Sequence, residues 1–246
     1  MRFAVLADIH ANLLALEAVR ADLATRRIEQ VVNLGDCVSG PLWPAETAAM
    51  LIRLGWPTVR GNHDRWVTDV PPEKQSSWDR LARDALSPEQ LTWLAALPEG
   101  LDLGAGILAV HGHPGDDNAY LLEEVSNGGL VRAAPATVMV RLAGMTSPIV
   151  LCGHSHLPGA LCLPDGRWVI NPGSVGCPAY ADPTPPAHVS EAGGPQARYA
   201  VIDFRAGSLA LELIAIPYDH EAAARRAEAN GRPAWATALR TGYARP

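Results

Sequence analysis

Residues 57–64, Pro-Thr-Val-Arg-Gly-Asn-His-Asp, decide how the rest of the chain is read. The first four are short, partly β-branched and bounded by turn formers, which predicts a strand over 57–60. Gly61-Asn62-His63-Asp64 follows at once. Four consecutive glycine or polar residues straight after an apolar strand serve no packing purpose, so they point to a site at the strand's carboxyl end.

The same arrangement recurs on both sides of this stretch. Residues 2–7 (RFAVLA) predict a buried strand leading into Asp8 and His10, and 30–34 (QVVNL) one leading into Gly35-Asp36. Residues 107–110 (ILAV) lead into His111-Gly112, and 148–152 (PIVLC) into Gly153-His154-Ser155-His156. Open α/β sheets bind ligands beyond the carboxyl ends of their strands, so five strand ends deliver Asp, His and Asn to one crevice. Asp8 and His10, like His154 and His156, are two apart, and in extended chain their side chains point the same way. Glycines stand beside the ligand candidates, where the backbone must turn sharply or approach closely. Carboxylate oxygen mixed with imidazole nitrogen suits Mn, Fe, Zn or Co better than Ca or Mg. Taken singly, each piece reads as a turn or a satisfied structural histidine. All five in order, each at a strand end, do not.

Helices are predicted over 12–26 with Asn12 as N-cap, over 44–54, twice within 73–96, and over 135–143, 219–229 and 233–240. Ser87-Pro88-Glu89-Gln90 opens the second helix of the 73–96 pair with a capping box and a proline at the first helical position. A hairpin joins 101–103 to 107–110, and further strands fall at 160–163, 167–170, 199–204 and 209–216. Residues 177–195, rich in Pro, Ala and Gly, read as a surface loop at the pocket rim or in a subunit contact. Alternating β and α elements followed by antiparallel strands predict a layered α/β sandwich with mixed sheets, in one domain over 1–246.

Composition sets outer limits. The 246 residues are 48% hydrophobic, ample for a core, and 22 Gly with 21 Pro imply many turns. A net charge of −6 argues against an extended nucleic-acid-binding surface. Four cysteines without a CxxC pair read as small buried residues in a reducing compartment. No apolar run approaches the roughly 20 residues that span a membrane, and Asp8 interrupts the N-terminal one. A cytoplasmic protein without a membrane partner is expected.

The ordered set Asp8-x-His10, Gly35-Asp36, Gly61-Asn62-His63-Asp64, His111-Gly112 and Gly153-His154-x-His156 resembles the calcineurin-like metallophosphoesterases, from residue 3 to at least 176. Asp8-Ile-His-Ala-Asn12 and Asn171-Pro-Gly-Ser-Val175 resemble the small bacterial and archaeal phosphoesterase branch, which includes diadenosine-tetraphosphatase-related proteins. The resemblance implies an α/β/β/α sandwich of two mixed sheets flanked by helices, and two divalent metal ions, Mn first, with Fe, Zn, Ni or Co as alternatives. One metal would be held by Asp8, His10, Asp36 and His156, the other by Asp36, Asn62, His111 and His154. Asp36 is then the bridge, because two cations about 3.5–4 Å apart repel and a shared carboxylate offsets the repulsion. The implied reaction is hydrolysis of a small phosphate ester, diester or monoester, with nucleotides among the candidate substrates. A metal-bridging hydroxide attacks phosphorus, His63 is the general acid and Asp64 its orienting partner.

Asn12, Arg60, Arg65 and His113 are candidates for contact with substrate. Asn12 has a capping role to set against this, and the arginines bracket the Gly-Asn-His-Asp stretch. His113 stands where the compared branch commonly has a small hydroxyl residue. Trp43 and Trp66 read as packing residues or as platforms for a base. His188 and His220 lie far from every ligand block and read as exposed. The competing function is a non-catalytic metal-binding interaction scaffold of the same fold. The presence of all seven ligands and His63 favours the enzyme.

Overall fold

The computed structural model describes residues 1–205 and 207–244. Its first half runs β1 (Arg2–Leu6), α1 (Leu13–Thr25), β2 (Val31–Asn33), α2 (Pro44–Leu54), α3 (Asn62–Asp69), α4 (Ser77–Ala85) and α5 (Pro88–Ala95). Next come β3 (Gly100–Asp102), β4 (Ile107–Val110), β5 (Glu123–Ser126), β6 (Gly129–Arg132), α6 (Pro135–Arg141) and β7 (Ile149–Leu151). The last third holds β8 (Gly159–Cys162), β9 (Trp168–Asn171), β10 (Ala179–Asp182), β11 (His188–Glu191), β12 (Ala197–Arg205) and β13 (Ser208–Ile216). Helices α7 (His220–Ala229) and α8 (Pro233–Thr241) follow.

Strand alternation builds four layers. One mixed sheet has the order β13-β12-β1-β2 and the other β3-β4-β7-β9-β8, with β4, β7 and β9 parallel. Phe3 and Val5 of β1 and Ala200 and Ile202 of β12 meet Ile107, Ile149, Leu151 and Ile170 of the second sheet. The alternate residues Ala4 and Leu6 face the other way, under Leu16, Val19 and Leu23 of α1. On the far side, Val150 and Val169 pack against Val138 and Leu142 at α6. The expected α/β/β/α sandwich is therefore the observed one.

Three expectations change. Residues 177–195 are not an irregular loop: β10 and β11 pair antiparallel and join β6 and β5 in a third sheet of order β10-β11-β6-β5. Its strands are four residues each and carry polar residues such as Glu123, Ser126 and Ser190, so no clean apolar alternation marks the two hairpins, and only the β11–β6 pairing that joins them spans distant parts of the chain. The strand predicted over 57–60 reduces to one parallel bridge, Asn33 to Thr58, because the chain turns into α3 at Asn62. Finally, His188 is buried, with its ring held between the Tyr120 hydroxyl and the Pro186 carbonyl.

Helices α7 and α8 fold back onto the β1–α1 turn, where Ala223, Ala227, Ala236 and Leu239 enclose Ala11 and Leu42. This places Trp235 5.9 Å from the His10 ring. Among the described residues, no helix is long and apolar enough to cross a membrane.

Candidate metal centre

The segments after β1, β2, β4 and β7 converge with the start of α3. Asp8 and His10 follow β1, Asp36 follows β2, His111 follows β4, His154 and His156 follow β7, and Asn62 opens α3. Asp8, His10, Asp36, His154 and His156 all have φ between +49° and +66°. Left-handed backbone at a non-glycine residue costs on the order of 1–3 kcal/mol, persists only where surrounding structure enforces it, and concentrates at ligand sites. Here the enforcement is visible: the Asp8 and His10 amides donate to the Gly35 and Asp36 carbonyls at 3.0 and 2.9 Å.

The ring orientations fix what this cage can hold. Nδ1 of His10, His111 and His156 lies 2.8, 2.7 and 2.7 Å from the carbonyls of Ser39, Leu34 and Cys177. A carbonyl only accepts, so each Nδ1 carries the proton and each neutral ring presents a bare Nε2. Yet Nε2 of His10 is 3.1 Å from Nε2 of His156. Likewise, His111 Nε2 is 2.9 Å from Asn62 Oδ1, whose amide nitrogen donates to Asn118. Asp36 Oδ2 stands 3.5 Å from both His10 Nε2 and His111 Nε2, midway between the two sets. Asp8 Oδ1, buried and 3.4 Å from His156 Nε2, has no hydrogen-bond partner among the described residues. Buried lone pairs facing lone pairs are unfavourable unless a cation lies among them.

Ligand atoms of Asp8, His10, Asp36 and His156 lie within 4.8 Å of one another and could hold a metal ion. The second set is Asp36, Asn62 and His111, with His154 5.3 Å from the His111 ring. His154 Nε2 lies 3.1 Å from the Asn118 carbonyl and so donates to it, which makes Nδ1 the unprotonated nitrogen that could bind metal. Without metal, protons carry the positive charge. Burial opposes a charged His111 or His156, but Asp36 lifts the first to about 9 and Asp8 lifts the second well above the ordinary value. Burial drives His10 down to about 4, and burial with the His111 charge drives His154 to about 3. Divalent metal would displace those protons. The mixed nitrogen and oxygen donor set fits such an ion.

His63, at the second position of α3, also borders this cavity. Its backbone N–H donates to Asp36 Oδ1 at 3.0 Å, and its Nδ1 is 2.8 Å from Asp79 Oδ1. Asp79, not Asp64, is therefore the carboxylate that orients the ring. The hydroxyls of Ser39 and Ser76 hold Asp79 in turn, each at 2.5 Å. Burial works against a protonated His63, but Asp36 and Asp79 outweigh it and raise its pKa. Asp64 accepts instead from the backbone N–H groups of Asp36, Cys37 and Gly61 at 2.9–3.0 Å, clamping the segment after β2 to the start of α3. Burial and the Asp36 charge lift its pKa to about 6.

None of the four proposed substrate contacts reaches the cavity. Asn12 caps α1 through Ala15 N–H and binds the Gly176 carbonyl and the Tyr218 hydroxyl. Arg60 pairs with Glu99, and Arg65 makes a two-pronged pair with Asp117. His113 hydrogen-bonds the Arg141 carbonyl and lines a separate recess beside Arg65. Trp43 packs with the α7–α8 pair, whereas Trp66 borders the cavity. Asp79, Asn118 and Tyr120 were missed by motif reading. The one local hint was Ser76 three residues before Asp79, a helix-cap spacing. Tyr120 stacks on His154 with ring centroids 4.8 Å apart, and its hydroxyl meets Tyr180 and His188, each at 2.7 Å.

Gly61 has no room for a side chain. A Cβ there would overlap the Asp36 carboxylate and lie 2.5 Å from the Asp36 nitrogen. Gly61→Ala is expected to lower stability by about 1–3 kcal/mol through overpacking and to weaken metal binding by displacing Asp36. Thermal melts with and without metal check this. An unchanged metal-induced stabilisation would show that Asp36 is free to move.

Convergence of buried carboxylate, imidazole and amide donors at the strand ends of a four-layer sandwich makes a site that could hold metal. Residues 1–192 match the family model for the calcineurin-like phosphoesterase superfamily domain, and the chain belongs to that superfamily of metal-using phosphoesterases. An uncharacterized protein of Methanocaldococcus jannaschii is 26% identical over 260 residues, spanning 94% of each chain. The crystal structure of a metallophosphoesterase from Sphaerobacter thermophilus is similar with a TM-score of 0.75 at 25% identity, covering 98% of this chain and 100% of that one. A hypothetical protein from Pyrococcus horikoshii shares the fold with a TM-score of 0.78 at 21% identity, covering 98% of each.

Proposed function

We propose that the chain is a two-metal phosphoesterase that hydrolyses small organic phosphate esters, with His63 as general acid. The observation that carries this is the pair of facing acceptors, His10 against His156 and His111 against Asn62, with Asp36 equidistant from both. Asp8, His10, Asp36 and His156 would hold one ion, and Asp36, Asn62, His111 and His154 the other. Manganese is the first choice, and Fe, Zn, Ni or Co also suits the donors. When bound, the ions supply Lewis acidity at the phosphate and lower the pKa of coordinated water towards about 7.

The chain's own residues do the rest. Asp79 holds the proton on His63 Nδ1, which leaves Nε2 to serve the substrate. The water oxygen bonds to phosphorus as one of its protons passes to solvent, the ester P–O bond breaks, and His63 Nε2 gives its proton to the departing oxygen and regains one from solvent. The raised pKa of His63 favours the charged, donating form.

Metal-stripped protein reloaded separately with Mn, Fe, Co, Ni or Zn is expected to hydrolyse bis(p-nitrophenyl) phosphate or p-nitrophenyl phosphate, and to be inactive with chelator. No turnover with any of these metals would overturn the hydrolytic reading and leave the binding scaffold.

A further inference from the structure

The cavity beside the metal cage is about 450 Å³, within the range of small-molecule sites. One side is the donor cage and His63. The remaining wall is largely aromatic and apolar, with Trp66 from α3, Trp78 from α4, Trp235 from α8, Tyr120, Tyr180 from β10 and Pro183, interrupted by Ser76, Asn118, Asp182 and Thr184. Trp66 stands edge-on to His63 at 4.6 Å and Trp235 edge-on to His10 at 5.9 Å, so two indoles begin where the cage ends. Among the described residues no lysine or arginine borders this space, and Asp182 does. Arg60 and Arg65, which flank the catalytic stretch in sequence, are paired with Glu99 and Asp117 outside it.

These walls separate two kinds of phosphate ester. A substrate with one phosphate and a flat aromatic body places its charge at the cage and its ring among the indoles. A polyphosphate chain would instead bring further negative charge against tryptophan faces and Asp182, desolvating it without a counter-ion. We propose that the substrate is a phosphate ester with a single phosphate bearing a flat aromatic group, aryl or nucleobase, seated against Trp66 and Trp235. This rests on the hydrolytic reading above and makes dinucleoside polyphosphates poor substrates.

The test compares bis(p-nitrophenyl) phosphate with methyl p-nitrophenyl phosphate, which share a leaving group and differ only in the spectator ester. Stacking on an aromatic side chain is worth about 1–3 kcal/mol, so kcat/KM is expected to favour the bis-aryl ester by about tenfold or more. Trp235→Ala should remove most of that preference, and Trp235→Phe should keep it. Independently of turnover, phenylphosphonate should quench tryptophan fluorescence and bind metal-loaded protein about tenfold more tightly than methylphosphonate. Equal rates on the two esters with equal phosphonate affinities would overturn the proposal, as would preferred hydrolysis of diadenosine tetraphosphate. Failure to hydrolyse either ester and p-nitrophenyl phosphate as well overturns the hydrolytic reading instead, and the phosphonate titrations still decide the pocket.

Discussion

Asp36→Ala is expected to abolish turnover and to empty both metal positions together. Its Oδ2 is 3.5 Å from His10 Nε2 and from His111 Nε2, and its Oδ1 accepts from the His63 N–H at 3.0 Å. On the two-metal reading, removing the carboxylate would take a ligand from each ion, end the screening between two closely spaced cations, and free the start of α3. Loss of an outer partner of a metal ligand already costs about 10–100-fold in affinity or activity, and removal of a shared ligand is expected to exceed that. Metal analysis after gel filtration, read beside kcat/KM, checks the result. A variant that retains two ions and its activity would refute the bridging role of Asp36.

His63→Ala is expected to lower kcat by about 10²–10⁴, the usual contribution of a positioned acid or base, while metal content stays unchanged. The loss should be greater for an alkyl leaving group than for p-nitrophenol, because an alkoxide needs the proton and a nitrophenolate departs without it. Asp79→Asn should reproduce this leaving-group pattern at about 10–100-fold, since Asp79 acts through the His63 ring. Asp64→Asn should not reproduce it. That carboxylate clamps backbone N–H groups, so its loss should appear in the melting temperature. A uniform loss across leaving groups in His63→Ala would mean that the ring only supports Asp36.

The contrast between Asp64 and Asp79 shows where sequence reading runs out. Asp64 adjoins His63 in the chain, but on a helix adjacent residues point apart, and Asp64 turns back to cap its own first turn. Asp79 is 16 residues away and on another helix, yet it meets the ring because α3 and α4 pack together. The arginines repeat the lesson. Flanking a functional stretch does not decide which way a long side chain leans, and nearby acids claimed both.

What the sequence determined by itself was local. Apolar runs ending in Asp, His, Asn and Gly marked the strand ends. Helix α2 falls on the predicted 44–54, and the capping box at Ser87 and Gln90 opens α5 as read. The chain order of the donor blocks indicated the family. These signals survive because strand alternation, helix caps and turn residues act over a few bonds. Tertiary structure alone decided the joining of the 177–195 hairpin to β6 and β5 in a third sheet, the partner of His63, the burial of His188, and the gathering of Trp66, Trp78 and Trp235 around one cavity. Each depends on contacts between residues far apart in the chain, which a periodicity cannot name: it shows that a face is buried, not what covers it.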